Sequence, residues 1–155
     1  MQEAQALAMV SQFHQLFGAP ILDTPQIPSL DRSTLRISLL QEELNELQQA
    51  INDNDIVEVA DALADLQYVL AGAILEFWLW DRFAAIVEEV HRSNMSKACS
   101  SLSEAEATVT YYHQHKNTQA HIVPQWDQYL VLRTEDNKVL KSINYSPAEL
   151  QQFVI

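Results

Sequence analysis

The chain has 155 residues, of which 48% are hydrophobic and only two are glycine, and its formal net charge is −12. These totals favour one ordered, mainly α domain over residues 1–155 and argue against a disordered chain. The negative charge argues against a nucleic-acid partner and against an anionic membrane surface, because either would require a basic face.

Cysteine use and the amino-terminal residues bear on the compartment. The single cysteine, Cys99, excludes an internal disulfide, and the first residues lack the basic start and long apolar run of a signal peptide. We therefore expect a cytoplasmic protein. The apolar stretch Leu66–Trp80 has 15 residues and contains Glu76, whereas a membrane span takes about 20, so a helix buried in a bundle or subunit interface is expected there.

Apolar spacing predicts two helices in the first third of the chain. The first covers residues 3–17 and ends at Gly18 and Pro20; a proline-rich loop, APILDTPQIPS, follows. The second begins near Asp31 or Ser33, either of which can cap it, and continues to Ile51. Its predicted core stripe consists of Ile37, Leu40, Leu44, Leu47 and Ile51.

Three further helices and a hairpin are predicted after the polar turn at residues 52–55. Helix three covers 55–80, helix four 81–92 and helix five 103–115, the last announced by a capping box of Ser103 with Glu106. Phe83, Ile86, Val87 and Val90 are the inward residues predicted for helix four.

The last part of the chain has strand character. Residues 126–134 and 138–143, separated by Glu135-Asp136-Asn137, are typical of a two-stranded hairpin, and Pro147 lies near the start of a short terminal helix. The predicted architecture is a mainly α bundle of four to five helices with a small C-terminal β hairpin in the extension 119–155.

Acidic residues mark helices two and three. On helix three, Glu58, Asp61, Asp65, Gly72 and Glu76 fall in one narrow band, while the remaining positions have the composition of a helix buried on most sides. Ionised carboxylates on such a helix are costly unless they are paired or bound to a cation.

Packing geometry brings acids of the two helices together. If helices two and three are antiparallel about a turn near residue 53, Glu46 faces Asp61, and Glu42 or Glu43 faces Asp65. Mg²⁺ takes about six oxygen ligands, so several carboxylates suit it. The alternative is that Glu42, Glu43 and Glu46 are solvated surface residues, the usual outcome for one acidic run alone.

The acidic pattern also resembles a known signature. Glu42-Glu43-x-x-Glu46 followed by Glu58-x-x-Asp61 resembles the motif of the all-α nucleoside triphosphate pyrophosphohydrolases, the superfamily of MazG, dimeric dUTPases and phosphoribosyl-ATP pyrophosphohydrolase. The runs DALADLQYVLAG, EEVHRSNMSK and DNKVLKSINYSPAEL resemble a phosphoribosyl-ATP pyrophosphohydrolase-like subfamily sometimes labelled Cof-like hydrolase. The resemblance covers most of residues 31–150.

The resemblance implies a reaction and roles for named residues. It implies that acids hold Mg²⁺ or Mn²⁺ while water splits a nucleotide into its monophosphate and pyrophosphate. Glu43 is then the candidate catalytic base and a metal ligand, Glu46 and Asp61 are central ligands, and Asn94 and Lys97 bind substrate. The other candidate metal ligands are Glu42, Glu58 and Asp65. Apart from the resemblance, Arg36, Lys138 and Lys141 are further candidates for contact with phosphate, although each is more often a plain surface charge.

One departure from the superfamily leaves the main ligand pair open. Alignment on Asp65-Leu66-Gln67-Tyr68 puts Ala62 where the superfamily often has an acid. The facing rule favours Asp61 with Asp65, and the signature favours Glu58 with Asp61.

Competing interpretations also remain. Glu88-x-x-His91 has the spacing of di-iron bundles, but such a site needs the pair twice. Tyr68, Trp78, Trp80 and Trp126 are candidates for stacking on a base, although aromatic residues at helical spacing are usually core. We expect a homodimer or homotetramer, since Leu66–Trp80 offers more apolar surface than one bundle covers. The non-enzyme alternative is a helical oligomer that binds metal or nucleotide without catalysis.

Overall fold

The computed structural model describes residues 5–155, which form two compact units. The first comprises the chain up to Ala84 with Val154–Ile155, and the second comprises Ala85–Phe153. Whether the two units form the single domain predicted for residues 1–155 stays a prediction. The elements in chain order are α1 (Ala6–Phe17), α2 (Leu30–Asn52), α3 (Ile56–Glu76), α4 (Phe83–Met95), α5 (Leu102–Lys116), β1 (Ala120–Gln125), β2 (Gln128–Arg133) and a 3₁₀ turn, Gln151–Phe153.

This order confirms a mainly α fold with a small C-terminal β hairpin. The predicted start of the first helix at residue 3 lies outside the described residues. None of the helices in residues 5–155 combines the length and the apolar character needed to cross a bilayer.

Helices α2 and α3 pack against each other in the first unit, and α1 packs on α3. The turn between α2 and α3 is closed by Asp55, whose carboxylate accepts hydrogen bonds from the N–H groups of Val57 (2.9 Å) and Glu58 (3.2 Å). Such capping satisfies amide donors that have no partner inside the helix. It fixes the place where α3 begins and thereby the register of its acids.

The predicted cap of α2 and the predicted end of α3 are wrong. Ser29 occupies the N-cap position of α2, so Asp31 and Ser33 lie inside the helix, and the Ser33 hydroxyl donates to the Pro28 carbonyl (3.2 Å). Helix α3 ends at Glu76 and not at Trp80, because the backbone turns to a positive φ of 55° at Trp78. The apolar run therefore outlasts the helix.

The predicted core stripe of α2 is also wrong in part. Ile37, Leu44 and Ile51 are 67%, 50% and 60% exposed. The buried residues of α2 are Arg36 and Ala50, so the face toward α3 is rotated from the apolar stripe. The expectation that α3 is buried on most sides fails for a related reason: its described helical neighbours are α1 and α2, which leave Ile56, Val57 and Leu63 exposed.

A buried ionic network ties α1, α2 and α3 together. Glu76 is fully buried and is bound by two guanidinium groups, those of Arg32 (Nε to Oε2, 3.1 Å) and Arg36 (Nε to Oε1, 2.9 Å). Arg36 also donates to Nε2 of His14 (3.1 Å), whose Nδ1 donates to the Pro20 carbonyl (2.9 Å). His14 is therefore the neutral tautomer with its proton on Nδ1.

Charge and burial set the pKa values in this network. Burial raises the pKa of Glu76, but the hydrogen bonds from Arg32 and Arg36 outweigh it and hold that pKa below its usual value. Burial lowers the pKa of His14. Gly72 provides the space for the network, since a Cβ there would lie 2.5 Å from a terminal guanidinium nitrogen of Arg36.

The second unit packs α5 against the β hairpin around a core of Cys99, Ala105, Val131 and Leu140. The cap of α5 differs from the prediction by two residues. Ser101 accepts the N–H of Glu104 (3.2 Å), and the Glu104 carboxylate accepts from the Ser100 N–H (3.0 Å). The predicted box of Ser103 with Glu106 is therefore wrong.

The hairpin and α4 also require corrections. Strand β1 pairs antiparallel with β2 from Ala120↔Arg133 to Gln125↔Gln128, whereas residues 138–143 contribute one isolated bridge, Leu132↔Val139. Strand β1 was not predicted from the sequence, because it contains Pro124 and proline is uncommon inside strands. On α4, Val87 and Val90 are exposed and not inward as predicted, and Ser93 is the buried residue.

Candidate functional site

Acidic side chains of α2, α3 and the turn between them line one groove in the first unit. The groove has a volume of about 320 Å³, and its lining includes Glu46 from α2, Glu58 and Asp61 from α3, and Asp53 and Asp55 from the turn. Glu46 and Asp61 share this groove, as expected for antiparallel helices paired about residue 53. The two helices thus bring carboxylates from distant sequence positions to one place.

Glu43 links the groove to the remaining predicted acids. Its side chain is half-buried, whereas Glu42 and Asp65 are exposed. Burial raises the pKa of the Glu43 carboxyl, and the negative charges of Asp65, Glu46, Glu42 and Asp61 raise it further. Glu43 therefore lies within electrostatic reach of acids on both helices.

The chemistry of this acidic groove suits a hard divalent cation. The donors are carboxylate oxygens, which Mg²⁺ and Mn²⁺ prefer, and the lining contains no lysine or arginine among the described residues. Like charges on neighbouring side chains repel one another, and a cation would offset that repulsion. The residues present therefore fit such a cation in kind.

The arrangement in the structure is open. Within residues 5–155, no group of three or more His, Cys, Asp or Glu side chains converges closely enough to hold a metal ion. In the same part of the chain, no hydrogen bond or ion pair holds the side chain of any of the six predicted ligands, Glu42, Glu43, Glu46, Glu58, Asp61 and Asp65. A cation would therefore displace no hydrogen bond or ion pair at these six side chains.

Sequence reasoning missed two members of the groove. Asp53 and Asp55 belong to the turn, and their side chains already have partners: Gln49 donates to Asp53 (2.8 Å), and Asp55 caps α3. The available signal was the turn itself, Asn52-Asp53-Asn54-Asp55, which concentrates acids at the point where the two helices meet.

Glu76, in the same acidic band, does not join the groove. The sequence places it with Glu58, Asp61 and Asp65, but the structure buries it against Arg32 and Arg36. The same contacts bear on Arg36 as a candidate phosphate contact. Its guanidinium is buried and bound to Glu76 and His14, which is a structural role. A contact between Arg36 and substrate phosphate stays a prediction.

Asn94 and Lys97 lie in the second unit. The Lys97 ammonium donates to the Asn94 side-chain oxygen (2.7 Å). Both residues line a cleft of about 270 Å³ together with the tip of the β hairpin. Lys141 contacts the face of the Tyr145 ring, with its Nζ 4.1 Å from the ring centroid.

The first unit is thus an all-α structure with an acidic helical hairpin, the architecture of a helical pyrophosphohydrolase fold. Residues 10–94, more than half of the chain, match the model of the phosphoribosyl-ATP pyrophosphohydrolase family. The chain belongs to this family. The matched residues include every acid of the groove and Asn94, and they end before Lys97 and the β hairpin.

A curated viral protein is also similar. The chain is 33% identical over 75 residues to the uncharacterized protein L479 of Acanthamoeba polyphaga mimivirus. The alignment covers 46% of this chain and 30% of that protein. The chain therefore spans less than a third of the relative's length, and the relative's name states no activity.

Proposed function

We propose that the protein is a metal-dependent nucleotide pyrophosphohydrolase. It cleaves a nucleoside triphosphate or a related nucleotide to the monophosphate and pyrophosphate. Membership of the phosphoribosyl-ATP pyrophosphohydrolase family supports a pyrophosphohydrolase at the general level. The metal dependence and the nucleotide substrate are the parts of the proposal that need testing.

The observation that carries the proposal is the acidic groove. Glu46 and Asp61 come from opposite helices and line the same space, and the Glu43 carboxyl experiences the charge of Asp65 and Asp61. Glu42, Glu43, Glu46, Glu58, Asp61 and Asp65 would hold Mg²⁺ or Mn²⁺. Both candidate pairs, Glu58 with Asp61 and Asp61 with Asp65, include Asp61, which is therefore the first residue to test.

The chemistry requires an aligned water and neutralised phosphate charge. A bound divalent cation supplies the neutralisation when present. Glu43 accepts a proton from the attacking water, whose oxygen forms a bond to the α-phosphorus. The bond from that phosphorus to the bridging oxygen breaks, and pyrophosphate leaves with the bond electrons.

Asn94 and Lys97 are proposed to bind the substrate. Lys97 pairs with a neutral amide and not with a carboxylate, so its positive charge is available to a phosphate group. The net charge of −12 argues against nucleic acid and against an anionic membrane as binding partners. The cytoplasmic compartment stays a prediction.

A homodimer or homotetramer is proposed from the exposed stripe of α2. Ile37, Leu44 and Ile51 repeat every seven residues and are half exposed or more. Such a heptad stripe is typical of a helix that packs against another helix. Of the stretch Leu66–Trp80, which suggested an interface from sequence, Ala71, Gly72 and residues 74–76 are buried within the first unit. We therefore place the proposed interface on the more exposed stripe of α2.

A nucleotide panel tests the proposed reaction. The full chain is incubated with Mg²⁺ and ribo- and deoxyribonucleoside triphosphates, and pyrophosphate release is measured, with EDTA as the control. Release that EDTA abolishes supports the proposal. Release of orthophosphate alone would contradict cleavage to pyrophosphate. No release at all while Mn²⁺ still binds would favour the alternative of a non-catalytic helical oligomer that binds metal or nucleotide.

A further inference from the structure

The tip of the β hairpin carries a tryptophan in an unusual setting. Trp126 follows the pair Gln125↔Gln128, in the two-residue connection between β1 and β2. Its φ is +54°, a value that favours glycine, asparagine or aspartate and is an outlier for a bulky residue. Its side chain is 90% exposed, so packing within the unit does not account for tryptophan at this position.

Trp126 borders a cleft that we call the hairpin-tip cleft. Its polar lining is Asn94, Lys97, Gln125 and Gln128, and its volume is about 270 Å³. Ligand pockets start at about 300 Å³, so the cleft is close to the lower end of the range for small organic ligands. The cleft lies entirely within the second unit, and all but Asn94 of these residues fall outside the family match.

The charge of the hairpin-tip cleft differs from that of the chain. Although the net charge is −12, no carboxylate lines the cleft in the described residues, and Lys97 provides a positive charge. The Lys97 ammonium is held by the Asn94 amide oxygen (2.7 Å), so an anion can approach it without displacing a counter-charge.

The remaining walls suit a flat heterocycle. Met95, Leu130 and Val139 supply an apolar surface, while the amides of Gln125 and Gln128 offer both donors and acceptors. An exposed indole ring provides a stacking platform for a base. Aromatic face, amide edges and one cation are the recognition groups needed by a base joined to a phosphate.

We propose that the hairpin-tip cleft binds a nucleoside 5′-monophosphate group, with the base stacked on Trp126 and the phosphate at Lys97. The ligand class rests on the proposed function, since that reaction yields a nucleoside monophosphate. The residues at the tip then add base recognition outside the acidic groove. The unfavourable backbone angle of Trp126 is retained because the ring contacts the ligand.

Binding measured without metal or turnover tests this assignment. Calorimetric titrations of the full chain in EDTA use the adenine, guanine, cytosine and uracil nucleoside 5′-monophosphates, the corresponding nucleosides, and inorganic phosphate. Because no hydrolysis takes place in these titrations, a negative pyrophosphate assay would not change the measured affinity for monophosphates. Equally, absence of monophosphate binding here would overturn the cleft while leaving hydrolysis to be judged by its own assay.

Two variants separate the ring from the charge. Trp126→Asn removes the ring and suits a positive φ, so the thermal midpoint should hold or rise while monophosphate and nucleoside affinities fall about 5- to 150-fold, the loss of one base–aromatic stack. Trp126→Phe should stay within about threefold of the wild type. Lys97→Met should weaken the monophosphate but not the nucleoside.

Lys116→Met, at the exposed end of α5, is the matched control for loss of charge and should bind like the wild type. Wild-type affinity in Trp126→Asn would overturn the proposal. So would binding in which inorganic phosphate competes fully and the base makes no difference, because the cleft would then be an anion site only.

Discussion

The carboxylates of α3 fall into two groups according to the charge that meets them. Glu76 is fully buried and bound by Arg32 and Arg36, whereas Asp61 is exposed and lines a groove with other acids. A buried carboxylate needs such partners, because an unpaired charge in the interior is strongly destabilising. At the residue scale, Glu76 is therefore a structural acid, whereas no hydrogen bond or ion pair engages the Asp61 side chain within residues 5–155.

His14 gives this network a pH dependence that can be measured. It faces Arg36, Glu76 and Arg32 and donates to the Pro20 carbonyl, and burial lowers its pKa below 6.5. The unfolded chain then binds more protons than the folded chain, so stability conferred by neutral His14 is present above pH 6.5 and declines as pH falls toward the folded pKa. The lowered pKa of Glu76 puts its own loss below 4.5.

Urea unfolding at pH 7.5 and pH 5.5 tests this expectation. The wild type should lose free energy of unfolding between the two values. His14→Gln keeps an acceptor for Arg36 but does not titrate, so it should lose less. Equal losses in the two proteins would show that His14 does not titrate in this network.

Residue roles were predictable where the helix partner could be guessed. The pairing of Glu46 with Asp61 followed from antiparallel packing about the turn, and the structure has both in one groove. The burial of Glu76 could not be predicted, because it depends on two arginines of α2, Arg32 and Arg36, that both bind its carboxylate. A helical wheel of α3 alone contains no information about those partners.

At the scale of elements, the turn between α2 and α3 sets the site. Asp55 caps α3 through two backbone N–H groups, so the position of Asp61 depends on this cap. Asp55→Ala should lower the free energy of unfolding by about 1 kcal/mol, while Asp55→Asn, an equally good cap, should cost little. Chemical denaturation measures both.

Asp53→Ala is the matched control, since this substitution also removes an acid from the turn. The Asp53 carboxylate contacts the Gln49 side chain and not the backbone amides of α3. Equal destabilisation by Asp53→Ala and Asp55→Ala would contradict the capping role.

Element types were easier to predict than their limits. The five helices and the hairpin follow from periodicity, and the fold class is confirmed. The predicted strands lie too late in the chain, because β1 contains Pro124 and because the turn at Trp126 has no glycine or asparagine to mark it. Two Ser-x-x-Glu sequences overlap at the start of α5, and only packing selects Ser101 with Glu104.

At the scale of the whole molecule, the exposed stripe of α2 predicts self-association. A heptad of apolar residues reads the same whether its own chain or a second copy covers it, which is why the sequence suggested a core. Leu44→Glu, at the centre of the stripe, should convert the oligomer to monomer, because it puts a charge where apolar contact is expected.

Sedimentation at micromolar concentration checks this, with Leu102→Glu on α5 as a control of similar exposure, 47% against 50% for Leu44. A monomeric wild type, or an oligomer unaffected by Leu44→Glu, would refute the assigned interface.

Pyrophosphate release by the variants Glu46→Gln and Asp61→Asn tests whether the acidic groove is the catalytic site. Each substitution removes one carboxylate charge from the acidic groove, and Glu106→Gln on α5 is the matched control. We predict that the two groove variants keep wild-type circular dichroism and lose at least about 100-fold in rate, while the control stays active. Wild-type rates in both groove variants would contradict the proposed site.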